Sequence, residues 1–239
     1  EVAVQHGVAV VENPPLAWAL FRSVEVGQPI PPELDYDFWL GPAPYKPYHP
    51  HRVHQTFRGY WDYDGGGLGY MGMHYLDPVQ HILEKDHTSP VEIEVDAPQQ
   101  HPDACGRWRK IVLRYADGCE IVLDGENQQK NVPFIEGPEG KLYPGLRSNI
   151  PVLLEKLKTL PDPEPQVTDF HQAVRERRKF ALNEENGHRS CTLVNLAKIA
   201  VRLGRNLKFD PDKQIFIGDE EANRLINEPM RTPWNSIME

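Results

Sequence analysis

The stretch FRGYWDYDGGGLGYMGMHYLDPVQH, Phe57 to His81, decides how the rest of the chain is read. It joins aromatics, a glycine cluster and a lone histidine, and loops of this composition gather binding and catalytic groups. Gly67, Gly69 and Gly72 spell G-x-G-x-x-G, the pattern of a dinucleotide-binding turn. A working version of that turn follows a buried apolar strand, whereas here Arg58 to Asp64 precede it. It must also open a helix whose free N–H groups meet a pyrophosphate. The Asp77-Pro78 pair places the helix start near Asp77, too late for that contact, with the helix running to about Lys85. Asp96, at the end of a strand over Val91 to Val95, falls roughly where a ribose-binding acid would sit, but it does not outweigh the missing strand and helix. The glycines read instead as a flexible turn passing close under a ligand or a neighbouring strand.

Outward from this stretch, composition narrows the function classes. Hydrophobic residues at 39% and charged residues at 26% of 239 describe a globular chain with a real core. A net charge of −9 with no basic stripe argues against nucleic acid. No apolar run approaches the roughly 20 residues of a membrane span. The chain opens on Glu1 rather than methionine, which reads as a processed or partial chain.

Residues 1–11 read as a valine-rich strand. Residues 28–50 hold seven prolines and read as an irregular strap, with the aromatics of Asp35 to Tyr48 laid against the body. Strands follow at Val91 to Val95, Arg107 to Tyr115, Cys119 to Gly125 and Phe134 to Leu142, the last with a turn at Gly137-Pro138. A three-residue loop Ala116-Asp117-Gly118 pairs Tyr115 with Cys119, Leu113 with Ile121 and Ile111 with Leu123, apolar against apolar. This register holds Cys119 at the turn and Cys105 at the far end, beyond disulfide reach, so three free thiols are expected. Helices are expected at Leu153 to Lys158, from Thr168, and at Ser190 to Leu203 with Gly204 as C-cap. The remainder, 205–239, reads as an extended arm with one helical turn at Asp219 to Ile226.

Several segments together resemble one family: DYDFWLGPAP with its proline strap, YWDYDGGGLGYMGMHYLDPVQ, the strand Phe134 to Leu142, GHRSCTLVNLAKIAVRLGRNLKFDPDK and the tail IGDEEANRL with PMRTPW. They resemble the C-terminal domain of bacterial sugar oxidoreductases of the Gfo/Idh/MocA type, over nearly the whole chain. The resemblance implies an α+β fold, an open and mainly antiparallel sheet with helices packed on one face. It implies that this domain supplies substrate contacts and often the oligomer interface. NAD(P) in such proteins is held by an N-terminal Rossmann domain. Neither a βαβ repeat nor the family's Glu-Lys-Pro segment with its catalytic lysine is found here, so no cofactor-binding residue is assigned to this chain. The family's Asp-x-x-x-His-x-x-Asp pattern is met by His74 and Asp77, but Tyr70 stands where the leading acid belongs.

His74 is the candidate general acid or base at a sugar hydroxyl or ketone, since imidazole titrates near neutrality. Tyr70 is a candidate proton donor or orienter of His74, or else a cover for the glycine turn. Trp61 and Tyr63, with Tyr60, could stack on a pyranose or belong to the core. Arg58 and His54 could bind hydroxyls or a carboxylate, and Asp77 and His188 complete the candidate substrate contacts. His49, His51 and His54 form H-x-H-x-x-H, but no fourth ligand is spaced for a metal, and none is assigned.

Three functions stay open. One is the sugar- or polyol-binding half of an NAD(P)-dependent oxidoreductase. Another is a nicotinamide-independent lyase or isomerase on a keto-sugar, and the third is a sugar-binding or assembly module without catalysis. A homo-oligomer through the sheet face is expected from Trp108, Val112 and Val122 on the outer side. The compartment, bacterial cytoplasm or periplasm, is left open.

Overall fold

Strands β1 (Glu92–Asp96), β2 (Lys110–Arg114) and β3 (Glu120–Asp124) form an antiparallel meander. The computed structural model that shows this describes residues 35–126, 132–145, 147–161 and 167–237. The strand expected over residues 1–11 and the prolines at 29, 31 and 32 lie outside them. Register follows the apolar pairing: Ile111 faces Leu123, Leu113 faces Ile121, and the Tyr115 N–H donates to the Cys119 carbonyl at 2.8 Å. Gly118 takes the left-handed conformation the turn demands, at φ +85°. Ile93, Ile111 and Leu113 are completely buried on the inner face. The three cysteines are free.

The inner face is covered by the long helix α5 (Glu184–Leu203), which buries Leu193, Leu196, Ala197, Ala200 and Val201. The helix begins six residues before the expected Ser190, because the Asn183 side chain caps it by accepting from the Glu185 and Asn186 N–H groups. Gly204 ends it at φ +64°. The extended arm expected over 205–239 is corrected in part. Its first residues, β7 (Leu207–Asp210), pair with β1 inside the main sheet, and β8 (Ile215–Phe216) adds the edge, giving the order β3-β2-β1-β7-β8. Leu207, Phe209 and Phe216 are buried there. The short helix α6 (Glu220–Arg224) falls within the expected turn, capped by Asp219. A smaller antiparallel sheet holds β4 (Ile135–Gly137), β5 (Gly140–Tyr143) and β6 (Arg147–Ser148). Helices α3 (Leu153–Lys158) and α4 (Phe170–Glu176) follow, the second capped by Asp169. The fold is α+β, an open antiparallel sheet with its helices on one face.

The decisive stretch folds differently from its expected reading. Helix α2 spans Gly66–Ile82, so it starts eleven residues before Asp77. The glycines lie inside it, and Asp77-Pro78 sits in its last turns. Poor intrinsic helix propensity is overridden by packing: α2 runs antiparallel to α5, and glycine lets the two backbones approach. A Cβ on Gly72 would lie 3.3 Å from Val194, and one on Gly69 would overlap the Asp64 carbonyl.

The proline strap also carries a helix, α1 (Tyr36–Leu40), in its proline-free window, capped by Asp35. Tyr36 and Leu40 bury with Val53 against Trp39, Tyr48 and Tyr63. Burial pushes the Tyr36 hydroxyl up to a pKa of about 12. The strap is fastened from the far end of the chain. Arg231 pairs with the Asp37 carboxylate, donates to the carbonyls of Asp37 (2.8 Å), Gly41 (2.9 Å) and Ala43 (3.3 Å), and its N–H reaches Pro42. Trp234 packs on Phe38 with ring centres 5.8 Å apart.

The outer face of the sheet corrects one expectation. Trp108 packs against the core rather than facing outward, and Gly125 leaves room for its ring. Val112, flanked by strands on both sides, is 6% exposed. Of the three residues expected on that face, Val122 alone stays open, at 53%. Around it Arg114 bonds Glu92 (2.9 Å), Glu94 (2.9 Å) and Glu120 (2.7 Å), and these carboxylates raise the guanidinium's already high pKa. Among the described residues no helix is long and apolar enough to cross a membrane.

Candidate functional site

Helix α2 sets the position of the first group. Tyr70 and His74 are one turn apart (i, i+4), and both are exposed. The Arg58 guanidinium lies over the Tyr70 ring, 4.3 Å from its centre, and holds the aromatic in place. Pro78 is four residues beyond His74, so it lacks the N–H that would bond the His74 carbonyl. That carbonyl, beside an exposed imidazole, thus lacks the usual i+4 donor of the helix ladder. Among the described residues no side chain bonds the ring, which leaves both ring nitrogens to solvent or a ligand. The family pattern's orienting acid is replaced by a tyrosine held under an arginine.

Asp77 does not join this group. Its carboxylate accepts from the Ser190 hydroxyl at 2.6 Å and fastens α2 to α5. Gln80 continues the seam, reaching Ser190 at 3.5 Å and accepting from the Tyr115 hydroxyl at 3.3 Å. These buried polar groups satisfy one another, as an interior requires. Tyr63 is drawn into the strap's aromatic cluster, 5.7 Å from Trp39, and burial pushes its hydroxyl pKa up. The side chain of His54 lies outside the described residues. His51 contacts the Tyr60 hydroxyl at 3.0 Å, and among the described residues no group of three or more His, Cys, Asp or Glu is arranged to hold a metal ion.

Trp61 and His188 meet elsewhere, at a cleft of about 370 Å³ along the outward side of α5. Trp61 itself is 5% exposed and donates from its indole N–H to the His101 carbonyl at 3.0 Å, so it forms part of the cleft's floor. One wall is the α5 stripe His188, Thr192, Asn195, Ile199 and Arg202, whose spacing of three to four residues puts it on one face. The facing wall brings Phe209, Gln214, Leu225 and Glu228 from the segment after α5. His188 contacts the Gln214 side-chain oxygen at 3.2 Å, and Gln214 also donates to the Pro211 carbonyl.

The cleft also contains Lys198, which sequence reasoning did not single out. Its stem lies over Gly65, whose left-handed turn at φ +79° and missing Cβ make the room. Burial pulls the ammonium below the usual lysine range, while Asp64, Glu228 and Cys105 hold it up. Asp64 is displaced the other way, its carboxyl pushed up chiefly by burial, with one oxygen buried and unbonded. The signal in the sequence was slight: a lysine within Leu196 to Val201, an otherwise apolar run.

The fingerprint glycines do not form a phosphate cradle. A short 3-10 segment, His54–Gly59, precedes them instead of a strand, and Gly69 and Gly72 are taken up by contact with Asp64 and Val194. The described residues therefore do not fit a nicotinamide dinucleotide at this motif. No curated protein matches the chain at a significant level. The family model described as oxidoreductase family, C-terminal alpha/beta domain, matches residues 8–236. The chain therefore belongs to the Gfo/Idh/MocA oxidoreductases, as their C-terminal domain.

Proposed function

We propose that this domain is the substrate-binding half of an oxidoreductase acting on a sugar or polyol, with His74 moving the proton at the reacting hydroxyl. The observation that carries this reading is the exposed pair of Tyr70 and His74 on α2, steadied by Arg58, with Pro78 removing the i+4 donor of the His74 carbonyl. An imidazole with both nitrogens open can take a hydroxyl proton as the alcohol becomes a carbonyl. The Tyr70 hydroxyl could donate to or accept from neighbouring hydroxyls of a polyol, and the His74 carbonyl could accept from them. In this reading NAD(P) is held by a separate nucleotide-binding domain, a division supported by the use of the local glycines in helix packing.

The test is a steady-state assay of the protein expressed from its whole gene, with NAD+ or NADP+ and a panel of sugars and polyols. Turnover is expected on at least one member. His74→Ala is expected to lower kcat by about 10²- to 10⁴-fold, the usual contribution of a positioned acid or base. Because His74 is exposed, the variant should melt like the parent. Unchanged turnover in the variant, or none by the parent across the panel, rules the reading out.

Tyr70 favours a second reading. A tyrosine in place of the family's acid supplies a proton where that acid supplies charge, which suits proton transfer beside a carbonyl. A keto-sugar lyase or isomerase would turn over 3-keto-glycosides with no nicotinamide added, and both Tyr70→Phe and His74→Ala would lose that activity.

A further inference from the structure

We propose that the cleft along α5 is a second binding site, for a small hydroxylated carboxylic acid, with the Lys198 ammonium receiving the carboxylate. The proposal is independent of the catalytic reading, since neither His74 nor Tyr70 lines this cleft.

Charge chooses the class of ligand. Two cations line the cleft, but Arg202 is matched by Glu228, which it contacts at 2.6 Å. Lys198 has no such match: among the described residues its ammonium makes no hydrogen bond and no ion pair within 4.0 Å. A partly desolvated ammonium without a partner is costly, and an anion that enters the cleft would offset that cost. Asp64 and Glu228 nearby disfavour a dianion, so a single carboxylate fits better than a phosphate. Burial has already weakened the hydration of Lys198, which lowers the cost of exchanging water for a ligand oxygen.

The rest of the wall suits hydroxyls. The Asn195 and Gln214 amides offer both donors and acceptors. Gln214 is held unusually: it is a non-glycine residue at φ +56° in the β7–β8 turn, a strained conformation. The turn places its amide between the Pro211 carbonyl and His188, in the lining of the cleft. A volume near 370 Å³ lies at the small end of ligand sites and has room for a six-carbon acid.

Isothermal titration of the chain with D-gluconate, D-glucuronate and neutral D-glucose at low salt tests the proposal. At least one acid is expected to bind at millimolar concentration, with glucose not binding. Lys198→Met keeps the length of the side chain and removes the charge. It is expected to weaken acid binding by at least tenfold while raising the melting temperature. Gln214→Gly, which relieves the strained turn, is expected to melt at or above the parent and also to bind less well. Equal binding of glucose and the acids, full binding by either variant, or no saturable binding of either acid overturns the proposal.

Discussion

At the scale of single residues, the chain turns on side chains that are missing as much as on those present. Gly69 and Gly72 mimic a nucleotide fingerprint, but their lack of a Cβ is used to bring α2 against the Asp64 turn and α5. Gly69→Ala is therefore expected to destabilise the protein by about 3 kcal/mol, the upper range for forcing a methyl into packed surroundings, read as a lower denaturant midpoint. Gly67, with nothing within 4 Å of a hypothetical Cβ, should tolerate alanine and gain helix propensity. A difference between the two in that order supports the packing account. Equal effects would remove it. Motif spelling could not reveal this, because the same letters serve a turn or a helix according to what lies across from them. Lys198 was hidden for a related reason: its burial is produced by the Gly65 turn, far away in sequence.

At the scale of elements, local signals and non-local pairing were unequally legible. The β2–β3 register could be read directly, since slipping β3 by one residue would turn Ile121 and Leu123 outward, away from the face of Ile111 and Leu113. Helix α3 was equally plain. The start of α2 was not, because Asp77-Pro78 carries a genuine start signal and four glycines argue against helix. Tertiary contact with α5 reversed that balance. Strand β7 was missed because its pairing, Ile93 with Leu207, spans more than a hundred residues. Of the candidate site, the Tyr70–His74 pairing follows from i, i+4 spacing only once α2 is known to include both. Pro78 gives a prediction at this scale. Pro78→Ala restores the N–H that bonds the His74 carbonyl, and a helix-interior proline costs about 3 kcal/mol relative to alanine. The variant should be more stable in thermal melts and show a protected amide at position 78. Under the proposed function it should also lose turnover. A more stable variant with parental activity would separate the missing i+4 bond at the His74 carbonyl from catalysis.

At the scale of the whole molecule, the two faces of the sheet have different characters. The inner one is covered by α5 and sealed by α2. The outer one carries the Arg114 cluster and exposed Val122. We propose that copies of the chain associate through this outer face, where Val122 would be the apolar centre of a polar contact. Val122→Lys is expected to shift sedimentation toward the single-chain mass without lowering the melting temperature of the monomer, because the residue is outside the core. A parent protein already at single-chain mass would end that reading.

The tail's grip on the strap has its own consequence. Arg231 closes a loop from the front of the described chain to its end, gathering the backbone oxygens of a turn that otherwise has few partners. A chain cut short before Arg231, by a nonsense codon or by a protease, would lose more than its last few residues. It would unclasp the aromatic nest around Tyr36 nearly two hundred positions away, so damage at the rear would be felt at the front.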